Sequence, residues 1–244
     1  MRVLVFQHIN VEHPGIFRDF LAADGGSFDA VELDAGEPIP SFDGYDALWV
    51  MGGPMDVWQE REHPWLVPEK RAIREWVSAG RPFLGVCLGH QLLADAMGGR
   101  VGPAATPEVG ILTVELTEAG KADPFFRGLP ATTTCLQWHG AAVLEPPPDT
   151  TVLARSPACP VQAIRVGARA YGLQYHVEAT RDTVPEWACV PEYETALEAV
   201  QGPGALGRFR AEADRHLAGL NAAARILYDN FAGIVTAHPA PAGS

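Results

Sequence analysis

The first half of the chain alternates short apolar runs with segments whose apolar residues recur at helical spacing. Residues 3–6 form an apolar run suited to a strand, and residues 15–23 then carry apolar side chains three and four positions apart. The same pattern continues in chain order with strand 28–33, strand 45–51, helix 69–78, strand 83–86 and helix 88–97. Strands that alternate with helices favour right-handed βαβ crossovers. We therefore expect an α/β fold of three layers, with a mostly parallel sheet and helices on both of its faces.

The second half is richer in predicted strands. Gly and Pro residues separate them, and they cover residues 111–116, 134–138, 151–154, 161–166 and 170–175. These strands either extend the same sheet or add an antiparallel flank to it. Apolar residues from Leu206 to Phe231 recur at steps of three and four and predict a long last helix. No composition break marks a linker, so we interpret residues 1–236 as one domain and 237–244, rich in Pro, Ala and Gly, as a disordered tail.

Composition and charge then exclude several classes of protein. The chain has 18 Lys and Arg against 30 Asp and Glu, a formal net charge of −12. This argues against a nucleic-acid partner, because phosphate recognition needs clustered positive charge. No apolar stretch is long enough to predict a membrane span. The four cysteines form no C-x-x-C pair and are too few for a disulfide scaffold, so we expect a cytoplasmic protein.

The most informative motif is the heptapeptide GVCLGHQ at residues 85–91, which runs from a predicted strand into a predicted helix. Its form, G-x-C-x-G, is that of a nucleophile elbow, in which the central residue sits in a strained turn. Gly85 and Gly89 are needed there because a Cβ would clash in so sharp a bend. The turn also places the N–H of Leu88 at a helix N-terminus, which favours negative charge on the Cys87 sulfur. The alternative interpretation is a buried structural cysteine.

A thiol nucleophile requires a base, and the base requires an orienting carboxylate. His176 and Glu178 follow a predicted strand and are two residues apart, so both side chains point to the same side. The arrangement predicts an imidazole held by a carboxylate with its ring facing Cys87. The alternative is a core histidine beside a solvated glutamate. A metal site is disfavoured, because helical H-x-x-x-H spacing is missing from the histidines considered, His8, His13, His63 and His139.

Three motifs in this order, GGP at 52–54, GVCLGHQ at 85–91 and HVE at 176–178, resemble the class I glutamine amidotransferase domain. The resemblance is nearest to the GMP-synthase-type glutaminase domain and its stand-alone relatives, and it covers about residues 1–180. It implies a flavodoxin-like fold with a C-terminal helical extension over about residues 181–236. It also implies hydrolysis of the glutamine side-chain amide through a γ-glutamyl thioester, without a cofactor or metal.

The resemblance also implies roles for individual residues. Cys87 would be the nucleophile, His176 the base and Glu178 the orienting carboxylate. The backbone N–H groups of Gly53 and Leu88 would form the oxyanion hole. The residues expected to bind substrate are Gln91, Gly52, Trp138, His139 and Gly140.

Two departures from the family pattern affect these expectations. Relatives of the GMP synthase type usually read S-H-G-D where this chain has WHGA, so Ala141 replaces the acid that would meet the substrate α-ammonium group. Free glutamine would then bind weakly unless a neighbouring residue substitutes. The usual H-P-E is HVE here, which keeps both functional side chains and changes only Val177.

No phosphate-loop signature for a synthase domain occurs in the chain. The sequence therefore predicts either a glutaminase subunit with a separate synthase partner as ammonia acceptor, or a stand-alone γ-glutamyl peptidase. A catalytically silent regulatory or binding subunit is the alternative from another class. Residues 179–207 either cap the pocket or form a partner surface, or their Trp187 and Tyr193 simply pack a helix on the sheet.

Overall fold

The computed structural model describes residues 1–237 of the 244-residue chain. Apart from Ala237, the tail predicted to be disordered lies outside the described residues. The strands are β1 (Arg2–Gln7), β2 (Ser27–Glu32), β3 (Ala47–Val50), β4 (Phe83–Val86), β5 (Arg100–Leu116), β6 (Thr132–Glu145), β7 (Thr150–Arg155), β8 (Ala163–Val166) and β9 (Ala170–Leu173). The α-helices are α1 (Phe17–Ala23), α2 (Leu66–Ser78), α3 (Leu88–Ala96), α4 (Glu118–Ala122), α5 (Thr183–Trp187), α6 (Pro191–Gln201) and α7 (Leu206–Thr236).

All of these strands belong to one sheet, in the order β2-β1-β3-β4-β9-β8-β7-β5-β6. The first five strands in this order pair in parallel. From β9 onward, through β8, β7, β5 and β6, every pairing is antiparallel. The α/β fold class is confirmed, but the sheet is mixed rather than mostly parallel. The second half both extends the same sheet and forms its antiparallel flank.

Alternate residues of the central strands pack against helices on opposite faces of the sheet. Val3 and Val5 belong to a core cluster with α1 and the C-terminal part of α7. Leu4 and Phe6 belong to a second cluster with α2 and α3. The short strands β3, β4 and β9 are buried along their whole length, as expected for parallel strands covered on both faces. The sheet therefore lies between two helical layers, as predicted.

Strands β5 and β6 are much longer than the sequence pattern indicated. The predicted strands began at residues 111 and 134, whereas β5 begins at Arg100 and β6 at Thr132 and runs to Glu145. The two pair antiparallel with a register shift between Pro103 and Glu108. Prolines are tolerated at such a bulge because the local ladder is already interrupted. Pro103 and Pro107 therefore lie inside a strand.

The C-terminal part of the chain adds helices to the end of the sheet where β4 and β9 finish. Helices α5, α6 and the first part of α7 share a third core cluster with Leu136 and Trp138 of β6. Within residues 1–237, no helix is both long enough and apolar enough to cross a membrane.

Candidate active site

Cys87 occupies the sharp turn between β4 and α3. Its backbone has φ of +53°, one of two positive values found at non-glycine residues in the described part of the chain. A Cβ on Gly85 would lie 2.4 Å from the carbonyl oxygen of Gly89, and a Cβ on Gly89 would lie 2.0 Å from that of Val50. Both glycines are therefore required by backbone contacts, which is the geometry expected for a nucleophile elbow. Strain at one residue is typical of functional turns.

The Cys87 side chain opens on a pocket of about 260 Å³. Its sulfur lies 3.8 Å from Nε2 of Gln174. Gly53 and Leu88 also line this pocket, and a Cβ on Gly53 would lie 2.9 Å from Cδ2 of Leu88. Leu88 is the first residue of α3, so its N–H is one of the helix donors without an intrahelical acceptor. The two predicted oxyanion donors thus belong to residues that meet beside the sulfur.

His176 and Glu178 lie behind this pocket in the extended segment that follows β9. Nδ1 of His176 lies 2.6 Å from Oε1 of Glu178, and Oε2 of Glu178 accepts a hydrogen bond of 3.0 Å from the Val177 N–H. The backbone of His176 pairs with that of Leu136 in an isolated antiparallel bridge. Both side chains are almost completely buried. The carboxylate fixes the hydrogen of the ring on Nδ1 and leaves Nε2 for proton transfer.

Two opposing influences set the protonation of His176. Burial is the largest and disfavours the charged ring, but the Glu178 carboxylate and the Cys87 sulfur together raise the pKa of His176 well above its ordinary value. Nε2 of His176 has no hydrogen-bond partner among residues 1–237, so it is available for proton transfer. The ring is therefore suited to hold a proton between a thiolate and a carboxylate.

The residues expected to bind substrate are brought to the same pocket with one exception. Gln91, Trp138, His139 and Gly140 line it, whereas Gly52 lies behind it. A Cβ on Gly52 would stand 2.5 Å from a carboxylate oxygen of Glu12, so a larger residue would clash with Glu12 at this position.

The polar atoms of these side chains are largely engaged within the protein. Nε2 of Gln91 donates to the carbonyl oxygen of Ala141 at 3.2 Å and to Oε1 of Gln174 at 3.1 Å. Nδ1 of His139 donates to the same Ala141 carbonyl at 2.9 Å, and its Nε2 stands 3.2 Å from Oε2 of Glu108. These contacts stiffen the pocket wall around Ala141 and leave the Gln91 carbonyl oxygen as an acceptor.

Sequence reasoning missed several residues that contact the predicted triad. Gln174 reaches the Cys87 sulfur, and the two-residue period that linked His176 to Glu178 also includes position 174. Trp187 of α5 packs edge-on against His176, with 4.6 Å between ring centroids. The sequence suggested pocket capping or helix packing for the segment that contains Trp187, but it did not indicate a contact with His176.

A buried carboxylate also lies beside the triad. Glu12 accepts a short hydrogen bond from the hydroxyl of Tyr193 on α6. Burial, the largest influence, raises the pKa of Glu12, and the nearby Glu178 charge acts in the same direction. Burial likewise raises the pKa of Tyr193. Tyr193 lines the pocket as well, so residues of the 179–207 segment both pack against the core and form part of the pocket wall.

The carboxylate side chains that line the pocket make it acidic. Asp56 and Glu192 are the carboxylates among its described lining residues, and these residues include no Lys or Arg. Partial burial raises the pKa of Asp56. Such a lining favours a ligand with an ammonium group. Among residues 1–237, no three His, Cys, Asp or Glu side chains are grouped so that they could hold a metal ion.

Comparison with known proteins shows which family the chain resembles. The family model for the class-I glutamine amidotransferases matches residues 27–185. The glutamine-hydrolysing GMP synthase of Aeropyrum pernix is 37% identical over 164 residues, which are 65% of this chain and 30% of that protein. The putative glutamine amidotransferase-like protein YfeJ of Salmonella typhimurium is 34% identical over 191 residues, 75% of this chain and 78% of YfeJ. A glutamine-hydrolysing GMP synthase subunit of Pyrococcus abyssi is 41% identical over 98 residues, 40% of this chain and 50% of the Pyrococcus protein.

Solved structures resemble the whole described fold. The crystal structure of a glutamine amidotransferase from Thermotoga maritima superposes with a TM-score of 0.85 at 29% sequence identity. The match covers 95% of this chain and 97% of the Thermotoga chain, so it includes the C-terminal helices beyond residue 185.

Proposed function

The chain belongs to the class-I glutamine amidotransferase family, and from this premise we propose that it is a cysteine amidohydrolase acting on the side-chain amide of glutamine or of a γ-glutamyl compound. The observation that carries the proposal is the strained Cys87 at the pocket together with His176, whose pKa the Cys87 sulfur helps to raise and whose ring lies 2.6 Å from the Glu178 carboxylate. An intact nucleophile, base and orienting carboxylate also argue against a catalytically silent protein.

In the proposed mechanism, the Cys87 thiolate attacks the amide carbon while His176 holds the proton. The N–H groups of Gly53 and Leu88 stabilise the oxyanion of the tetrahedral intermediate. His176 then protonates the leaving nitrogen, so that ammonia departs and a γ-glutamyl thioester remains on the sulfur. A water molecule that gives its proton to His176 hydrolyses the thioester, which releases glutamate and restores the thiolate. Glu178 keeps the ring oriented throughout.

We propose that Glu192 and Asp56 replace the acid missing at Ala141. Both carboxylates face the pocket, and the backbone oxygen of Tyr193, next to Glu192, accepts a hydrogen bond from Nε1 of Trp138 at 3.2 Å. This contact places Glu192 beside the 138–141 segment. The α-ammonium group of a γ-glutamyl substrate would therefore meet a carboxylate from α6.

The proposal includes two candidate functions, which differ in the group that leaves the substrate and in what accepts it. The similarity to the Pyrococcus GMP synthase subunit supports a separate synthase partner as acceptor. A second candidate function is hydrolysis of γ-glutamyl peptides. It is favoured by a wider cavity of about 620 Å³ that shares Pro54, Met55 and Glu192 with the pocket and offers room for a leaving group larger than ammonia.

The test compares turnover of glutamine and of γ-glutamyl dipeptides by the wild type and by Cys87→Ala. Cys159→Ala is the matched control, because Cys159 lines neither the pocket beside Cys87 nor the wider cavity. We expect release of glutamate that depends on Cys87 alone, and a γ-glutamyl adduct on the Cys87 peptide after acid quenching. The ratio of kcat/KM for the two substrates separates a glutaminase from a peptidase. Absence of turnover and of adduct with both substrates would contradict the proposal and favour a silent protein.

A further inference from the structure

A fully buried pair of side chains lies behind the predicted oxyanion hole and has no part in the mechanism above. His8, at the end of β1, and Glu69, in the first turn of α2, have completely buried side chains. Nε2 of His8 lies 2.8 Å from Oε1 of Glu69, and Nδ1 of His8 lies 2.8 Å from the carbonyl oxygen of Gly52. Burial of a charged pair is costly unless the geometry satisfies both partners. The pair therefore needs an explanation beyond packing.

The Gly52 carbonyl belongs to the same peptide unit as the N–H of Gly53. A carbonyl oxygen only accepts hydrogen bonds, so Nδ1 of His8 must be the donor. In a trans peptide the C=O and N–H point in opposite directions. The contact with His8 consequently turns the Gly53 N–H away from the imidazole ring. Gly53 lines the pocket beside Cys87, whereas Gly52 is set behind it against Glu12.

The surroundings leave His8 a single orientation. Its ring stacks on Trp65 with 5.4 Å between centroids and an interplanar angle of 18°. A Cβ on Gly53 would lie only 3.0 Å from Cβ of His8, so the histidine sits directly against this peptide. Burial, the largest influence, disfavours the charged ring, but Glu69 and the Gly52 carbonyl raise the pKa of His8 above its ordinary value. A charged donor polarises the peptide and strengthens its N–H as a donor.

From these contacts we infer that His8, held by Glu69, is a positioning residue that fixes the Gly52–Gly53 peptide so that the Gly53 N–H faces the reacting carbonyl oxygen. The inference rests on the proposed function, because it assigns a support to the oxyanion hole of that reaction. His8 is not among the residues that line the pocket beside Cys87, and it acts there only through the peptide.

The sharpest test uses two double variants that differ in one donor. His8→Leu/Glu69→Leu removes the pair and leaves the Gly52 carbonyl without its donor. His8→Asn/Glu69→Leu removes the same charges, but its amide nitrogen occupies a place close to that of Nδ1 and can still donate to Gly52. Neither variant leaves an unpaired charge in the core, so both are expected to fold. His216→Leu is a further control, because His216 is exposed on α7 and lines neither the pocket beside Cys87 nor the wider cavity.

We expect kcat of the Leu/Leu variant to be about 10²-fold below that of the Asn/Leu variant, the loss typical of one oxyanion donor. KM should remain similar, as should the rate at which iodoacetamide alkylates Cys87, because alkylation develops no oxyanion. The His216→Leu variant should keep the wild-type kcat. Equal kcat values in the two double variants would overturn the inference, and so would a parallel fall in alkylation rate, which would indicate a general disturbance of the elbow.

A second measurement is independent of activity. The sequence contains three Gly-Gly pairs, at 25–26, 52–53 and 98–99. Glycine labelled with ¹³C at the carbonyl and with ¹⁵N therefore gives coupled amide signals only from Gly26, Gly53 and Gly99. We expect the Gly53 nitrogen resonance to differ between the two double variants while the other two stay in place. An unchanged Gly53 resonance overturns the inference even if the wild type proves inactive, whereas inactivity with a shifted resonance refutes only the proposed function.

Discussion

The two walls of the candidate site are built in different ways. The nucleophile wall consists of the elbow at 85–89 with the 52–53 loop, and backbone contacts between glycines and neighbouring strands hold it. The histidine wall consists of the 174–178 segment with α5 and α6, and besides the backbone bridge from His176 to Leu136 it is held by side chains such as Trp187 and Tyr193. Backbone contacts leave no room for adjustment, whereas side-chain contacts can relax. Changes in the first wall should therefore unfold the protein, and changes in the second should mainly reduce its activity.

The largest effect is expected from Glu178→Gln in the histidine wall. Glutamine cannot stabilise the imidazolium form of His176 and is able to favour the wrong ring tautomer, so kcat should fall about 10³-fold while the protein stays folded. Steady-state kinetics with the best γ-glutamyl substrate and circular dichroism measure the two properties. Glu186→Gln, on α5 beside His13, is the matched control and should change kcat little. A loss of less than tenfold for Glu178→Gln would remove Glu178 from the predicted triad.

The next largest effect is expected from Gly89→Ala in the nucleophile wall. The added methyl group would stand 2.0 Å from the Val50 carbonyl oxygen, so the free energy of unfolding should fall by about 3 kcal/mol or more. Gly219→Ala is the control: it lies in α7 with no atom within 4 Å of the new methyl group and should stabilise the protein by up to about 1 kcal/mol. Urea unfolding of both variants gives these values. Similar stabilities would show that the elbow can relax after all.

A smaller effect is expected from Tyr193→Phe, which deprives the buried Glu12 of its hydrogen-bond donor. Loss of a partner to a buried polar group typically costs about 1–3 kcal/mol of unfolding free energy. The comparison is Tyr228→Phe, a buried tyrosine whose hydroxyl faces the exposed Asp24 and whose loss should cost less. Thermal or urea unfolding distinguishes them. If Tyr228→Phe proves the more destabilising, α6 is not tied to the site through Glu12.

The smallest effect depends on pH. Burial raises the pKa of Glu12, and the charge of Glu178 raises it further. His176, Tyr193 and His8 act in the opposite direction, but the net pKa stays above its ordinary value. The native state then retains a proton that the unfolded state loses, so this residue's contribution to stability falls as pH rises from the unfolded pKa through the folded one. The stability of Glu12→Gln relative to the wild type should therefore increase between acidic and neutral pH. Urea unfolding at both pH values measures this difference, and a constant difference would contradict the raised pKa.

The nucleophile wall could be predicted from the sequence because its determinants are local. Two glycines flank Cys87 at fixed spacing, and each proves necessary because an added Cβ would clash with a neighbouring backbone carbonyl oxygen. Gln174 lies two residues before His176, so the spacing argument that linked His176 to Glu178 could also have identified it. The catalytic roles of these residues remain predictions until the variants above are measured.

The contacts that α5 and α6 make with the histidine wall, and the support behind the oxyanion peptide, could not be predicted in this way. His8 and Glu69 lie 61 positions apart, and no local pattern connects a residue after one strand with the first turn of a helix. The strand β5 was also underestimated, because Pro103 and its neighbours suggest a loop unless the bulge that accommodates them is known. Pairing between distant segments decides both cases, and pairing is not encoded in residue spacing.

The contact between Glu12 and Tyr193 also constrains the order in which this protein matures. The two residues are 181 positions apart, and Cys87 and Gln174 are 87 positions apart. During synthesis the N-terminal segments leave the ribosome first. The parallel strands around the thiol are then available long before the segment that carries its base and the helix that bears Tyr193. A nascent chain therefore displays an incomplete site until its C-terminal helices emerge, and closing so long a loop makes formation of the active centre a late step of folding.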